Sequence, residues 1–168
     1  MKAAALALLT GALLLAGPAR AQAAAAAPEL KAQVLLKALR FVEWPAAALA
    51  GRGGLQLCLL VEGELARQLQ ALEGQRINQL PLQVRVLHNQ QLGGCHLALV
   101  GPEGPWQSGG ATLLVTETPG LLDRGAMLSL QVEEGRVVFD VELDAARRAG
   151  LEISARLLRL ARFVKRSG

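Results

Sequence analysis

With 168 residues, 18 Lys and Arg against 14 Asp and Glu, and a formal charge of +4, the chain is long enough for one domain with a real core and too evenly charged for a nucleic-acid binder. Lys2 and Arg20 fall in a segment expected to be removed, which brings the balance closer still to neutral. Two cysteines and two histidines leave little material for a metal centre or a nucleophilic catalyst.

The chain opens with a positive Met1-Lys2, an uncharged Ala/Leu run from Ala3 to Ala16, and an A-x-A site at Ala19-Arg20-Ala21. That is the form of a cleaved signal peptide over residues 1–21, and the run is shorter than the roughly 20 apolar residues of a membrane span. The mature protein is thus expected to be exported. Residues 22–28, with the Ala23–Ala27 tract, read as a flexible tether, and residues 29–166 as a single α/β domain.

From Glu29 to Trp44 the apolar residues Leu30, Val34, Leu35, Ala38, Phe41 and Val42 recur at helical spacing, with Gln33, Lys37 and Arg40 opposite. Pro45 ends that helix by forcing Trp44 out of helical geometry, and Phe41 and Trp44 are expected to pack into the core. Leu55–Val61 is apolar on nearly both faces and reads as a central strand. A short helix over Glu64–Leu72 precedes Leu82–Val86, whose alternation with Gln83 and Arg85 suits a strand near a sheet edge. His96–Val100 and Thr112–Val115 again read as central strands. Thr116–Gly125 is short for a parallel crossover. Met127–Glu133 and Arg136–Leu143 alternate around Glu134-Gly135 as a hairpin, so the sheet is mixed. Asp144 is expected to cap a turn that Gly150 breaks, and Leu151–Val164 to form the last helix, with Leu157, Leu158, Ala161 and Val164 inward. The fold class is a three-layer α/β sandwich, about six strands with helices on both faces.

Cys58 in the first central strand and Cys95 at the mouth of the third are expected to form a disulfide, because an exported pair without nearby further ligands is better suited to bonding than to metal. A strand order 2-1-3 makes them neighbours, and closing the loop between them is worth about 4 kcal/mol on chain-entropy grounds. His88 and His96 read as structural. No G-x-S-x-G turn or H-E-x-x-H helix is present, and Val61-Glu62-Gly63-Glu64 after the first strand would repel a pyrophosphate. No catalytic residue, metal or cofactor is therefore expected. Arg156, Arg159, Arg162, Lys165 and Arg166 are explained by complementing a helix C-terminus, with a weak contact to anionic membrane surface left open.

Two stretches resemble the YfiR family of small periplasmic proteins: FVEWP, Phe41–Pro45, and GRVVFDVELDAARRAGLEISARLLRLA, Gly135–Ala161. With the cysteine pair they frame most of the mature chain, and Gly135 and Gly150 belong with Phe41, Trp44 and Pro45 to its structural motif. Val141-Glu142 stands where relatives commonly read Ile-Asn, and a second cysteine pair found in some relatives is missing, so any redox control rests on Cys58 and Cys95. The resemblance implies a regulatory protein, not an enzyme: one that inhibits an inner-membrane diguanylate cyclase by contact with its periplasmic domain and so limits cyclic-di-GMP and biofilm formation. A periplasmic small-molecule-binding module is the alternative, an undetected hydrolase a distant third, and a homodimer is compatible with either of the first two. The partner surface is expected around the C-terminal hairpin and the start of the last helix, with Val141, Leu143 and Leu151 as its apolar patch.

Overall fold

A computed structural model describes residues 19–106 and 110–167. The expected leader lies outside the described residues except for Ala19–Ala21, with which helix α1 (Ala19–Ala38) begins. Ala23–Ala27, expected as a tether, is part of that helix. A run of alanines has the highest helix propensity available, and it continues the amphipathic segment behind it without a break. Ala32, Leu35, Leu36 and Ala38 are buried while Gln33 and Lys37 stay exposed, as the spacing predicts. The helix stops earlier than expected. After a 3-10 turn at Leu39–Phe41, Val42–Glu43 forms a short strand, β1, and Pro45 leads into a single turn of helix, α2 (Ala46–Leu49).

The central sheet is built from β2 (Leu55–Leu59), β3 (Arg76–Ile77), β4 (Leu80–Val86), β5 (Leu97–Leu99), β6 (Leu113–Thr116), β7 (Leu128–Glu133), β8 (Arg136–Glu142) and β10 (Phe163–Lys165), in the order β10-β8-β7-β6-β5-β2-β4-β3. Its parallel centre, β2, β5 and β6, is apolar on both faces and almost wholly buried, as the continuous apolar runs require. The β4-β2-β5 order is the expected 2-1-3. Helix α3 (Glu64–Gln70) packs against α1, and the whole is consistent with a three-layer α/β sandwich. The sheet exceeds the expected six strands because β3 and β10 are too short to carry a periodic signal.

Three local expectations are corrected. The β6–β7 connection is parallel although it holds only a 3-10 turn at Leu121–Arg124. A full crossover helix is unnecessary because only Val115↔Leu128 and Thr116↔Ser129 pair. The hairpin β7–β8 is antiparallel as expected, with Glu134 at φ +48° and Gly135 at φ +77° in its turn, the pair of positive angles that matches strand twist. Strand β8 stops at Glu142, one residue short of the expected Leu143, so helix α4 (Leu143–Arg148) starts earlier than expected, and Glu142 rather than Asp144 caps it by accepting from Ala145 N–H at 3.4 Å. Finally, the expected last helix is three pieces: β9 (Glu152–Ile153), α5 (Ala155–Leu158) and β10. Gly150 at φ +78° turns the chain, Ile153 finds a partner in Val42, and Ser154 caps α5 through Leu157 N–H at 3.3 Å. Tertiary pairing overrides a helical periodicity that Phe163-Val164-Lys165 satisfies equally well at period two.

Candidate partner-binding surface

The two stretches singled out in the sequence meet in space. Strands β1 and β9 form an antiparallel ribbon with Val42 opposite Ile153 and Glu43 opposite Glu152, and Ser154 N–H donates to Phe41 C=O at 3.0 Å. A Cβ on Gly150 would stand 3.4 Å from Pro45 Cγ, so this glycine supplies both the left-handed turn and the room for the proline. The Arg156 guanidinium lies 5.4 Å from the centroid of the Phe41 ring. Phe41 and Trp44 are half-buried rather than fully inside, packed on the rim of the core.

Trp44 is tied down through His96. Its indole Nε1–H donates to His96 C=O at 2.9 Å, Gln56 N–H donates to His96 Nδ1 at 2.8 Å, and Nε2 lies 3.0 Å from Ala48 C=O. Because Nδ1 accepts, the proton sits on Nε2 and is donated to Ala48. His96 is therefore a fully satisfied structural histidine. The residue before it, Cys95, is bonded to Cys58, with the two Cα atoms 5.8 Å apart on neighbouring strands. The Arg85 guanidinium on β4 lies 3.7 Å from Cys58 Sγ and 3.6 Å from Cys95 Sγ and donates to Gly93 C=O at 3.1 Å.

Val141, Leu143 and Leu151, expected as an apolar contact patch, are 0%, 2% and 1% exposed. They belong to the core, because β8 lies inside the sheet between β7 and β10 and the turn after α4 folds Leu151 back under it. Besides Leu30 on α1 and Val86 on β4, large apolar side chains are open beside the hairpin. Phe163 on β10 is 58% exposed, Leu160 just before it 65%, and Val132 on β7 43%. Strand β10 pairs only with β8, in parallel, and its other edge carries no strand among the described residues. Beside it a groove of about 440 Å³ has Leu122, Val132 and Phe163 in its lining together with the charged Asp123, Glu133 and Arg162.

Charges hold this edge in place. Arg162 grips Asp140 with two nitrogens, Nε donating to Oδ1 at 2.9 Å, and a third reaches Glu133. These partners, the Asp140 bond foremost, hold the guanidinium still more firmly protonated than usual. Lys165 pairs with Asp123 and lies 3.9 Å from the buried Glu142, whose Oε2 also accepts from Ser167 Oγ at 2.9 Å. The row of basic residues is thus no uniform helix face: Arg162 and Lys165 are neutralised by partners, and Arg156 covers a ring. Among the described residues no group of His, Cys, Asp and Glu is placed to hold a metal, and no helix is long and apolar enough to cross a membrane.

The YfiR/HmsC-like family matches residues 28–162, from the first expected helix to the residue before β10. The chain belongs to this family. No curated protein matches it. The β1–β9 ribbon, the disulfide, the hairpin and the Arg162–Asp140 pair lie within the matched span, while Phe163–Lys165 lies just beyond it. Such a family is regulatory rather than catalytic in kind, suggests a periplasmic regulator of cyclic-di-GMP signalling, and a cystine in the core agrees with export.

Proposed function

We propose that this protein inhibits an inner-membrane diguanylate cyclase by docking on the cyclase's periplasmic domain, lowering cyclic-di-GMP and restraining biofilm formation. The observation that carries the reading is the family match over residues 28–162. The free edge of β10, with Leu160, Phe163 and Val132 beside it, supports a contact made by adding a strand of the partner to the sheet, with the open side chains supplying selectivity. Inhibition needs no chemistry. A surface that binds the inactive receptor state about 10⁴-fold more tightly than the active one moves a balance of 1:99 to 99:1. The clamp of Arg162 on Asp140 and Glu133 keeps the edge in one shape before binding, which lowers the ordering cost of the contact.

The test is a pull-down from envelope membranes with the mature domain as bait. Wild-type bait should retain a membrane cyclase, and Phe163→Asp and Leu160→Asp baits should lose it while melting at nearly the wild-type temperature. Retention undiminished by both substitutions would move the contact elsewhere. Recovery of no signalling enzyme by folded wild-type bait would count against the reading as a whole.

A further inference from the structure

From Ala155 onward the sequence holds Arg156, Arg159, Arg162, Lys165 and Arg166 and no Asp or Glu. This stretch ends in β10, the outermost strand at its end of the sheet. Carboxylates from elsewhere do stand there. Glu133, Asp140, Asp123 and Glu142 are each in ion-pair contact with Arg162 or Lys165, and Asp140 and Glu142 are buried. Those two cations are therefore already neutralised. Arg159 and Arg166 are exposed, and among the described residues neither has a carboxylate partner. Arg148 on α4 is in the same condition and reaches the same rim, donating to Ser167 C=O at 3.4 Å.

A solvated basic surface alone is ordinary. This one adjoins Leu160 and Phe163, 65% and 58% exposed, and an open strand edge. Arg162 N–H turns inward to Phe139 C=O at 2.9 Å, so by the alternation of a strand the backbone groups of Phe163 and Lys165 turn outward, where no strand meets them among the described residues. A lipid surface answers the charge but has no peptide groups to offer the edge. An extended acidic chain answers both, with carboxylates for the guanidiniums and a backbone for the strand.

We infer that the partner docks on β10 through an extended acidic segment that combines Asp or Glu with apolar residues, its backbone on the open edge, its apolar side chains on Leu160 and Phe163, and its carboxylates toward Arg148, Arg159 and Arg166. This names the chemistry of the partner at the surface already proposed, and rests on that reading for the identity of the protein that carries the segment. Charge complementarity of this kind acts chiefly on the rate of encounter, and its effect falls as salt rises.

The test is an NMR titration of ¹⁵N-labelled mature protein with the peptide acetyl-Val-Glu-Val-Glu-Val-Glu-amide and with its lysine counterpart, at ionic strengths of about 0.01 M and about 0.15 M. The acidic peptide should shift the amide signals of Phe163 and Lys165 saturably and bind about tenfold more weakly at the higher salt, and the lysine peptide should leave them in place. The combined variant Arg148→Glu, Arg159→Glu and Arg166→Glu, all on the surface, should melt near the wild-type temperature and bind the acidic peptide at least about tenfold more weakly, whereas lysine at the same three positions should retain binding. Equal binding of the two peptides, or unmoved Phe163 and Lys165 signals, would overturn the inference, whatever a pull-down shows. Vesicles of phosphatidylglycerol and phosphatidylcholine that bind wild type and not the glutamate variant, with the β10 signals unmoved by peptide, would assign the charges to a lipid surface instead. A membrane cyclase retained equally by wild-type and glutamate-variant baits would overturn the acidic segment and leave the proposed function standing.

Discussion

His96 connects three parts of the chain: the segment after β1 through Trp44, the start of β2 through Gln56, and helix α2 through Ala48. Its ring is 3% exposed, so a replacement that cannot form these bonds strands two backbone groups away from water. His96→Leu nearly keeps the volume and loses both ring bonds. It should cost about 2 to 4 kcal/mol, read as a lower melting temperature, and an unchanged temperature would show that the ring bonds are replaceable. Next to it, the Cys58–Cys95 bond closes a sequence separation of 37, so replacing both cysteines by serine should remove about 4 kcal/mol in a denaturant titration. Thiol titration of the oxidised protein should find no free thiol. The cysteine pairing was legible because the chain offers only one choice, and a 2-1-3 strand order, which the sheet has, makes the strands beside the two cysteines neighbours. The convergence on His96 was not, since nothing in the spacing of Trp44, Ala48, Gln56 and His96 shows that four separate turns and strand ends meet.

At the scale of elements, periodicity identified each long one and failed at the short ones. The hairpin β7–β8, the parallel centre and α1 rest on apolar patterns of four or more residues, whereas β1, β3, β9 and β10 are two or three residues long and exist only because a partner strand is waiting. The open edge was therefore invisible in sequence, and the apolar residues that looked free, Val141, Leu143 and Leu151, were those whose neighbours only the fold supplies. The join between hairpin and edge is Glu142, a carboxylate 1% exposed that caps α4, accepts from Ser167 and faces Lys165. Glu142→Ala leaves the first turn of α4 and Lys165 without that partner and should cost about 2 to 4 kcal/mol by thermal melting, whereas Glu142→Gln, which keeps the acceptor, should cost clearly less. Equal losses for the two would assign the effect to the charge alone. Lys165 itself has its pKa raised, by its bond to Asp123 first and against the effect of burial. A raised lysine contributes its stability in full below the ordinary lysine value and loses it only as pH climbs through the raised one. The anchoring of β10 is thus constant across physiological pH, and an acid signal is not transmitted by this lysine.

For the whole molecule, the arrangement separates what must be rigid from what can be read by a partner. The disulfide and the His96 junction fix the middle of the sheet at β2 and β5, while the two most exposed large apolar side chains, Leu160 and Phe163, lie on and beside the edge strand β10. Core and edge substitutions should then part cleanly. Leu143→Asp places a charge in a site 2% exposed and should prevent folding, so the variant fails to accumulate. Phe163→Asp changes a side chain 58% exposed and should leave the melting temperature within a degree or so of wild type. If the protein restrains a diguanylate cyclase, a deletion strain should show raised cyclic-di-GMP and stronger surface attachment, restored to normal by the wild-type gene. Phe163→Asp, present in the envelope at the wild-type level, should fail to restore either, which assigns the failure to the lost contact rather than to a lost fold. Full restoration by Phe163→Asp together with Leu160→Asp would move the contact away from the β10 edge, and a deletion strain with unchanged cyclic-di-GMP would remove the cyclase from the proposal.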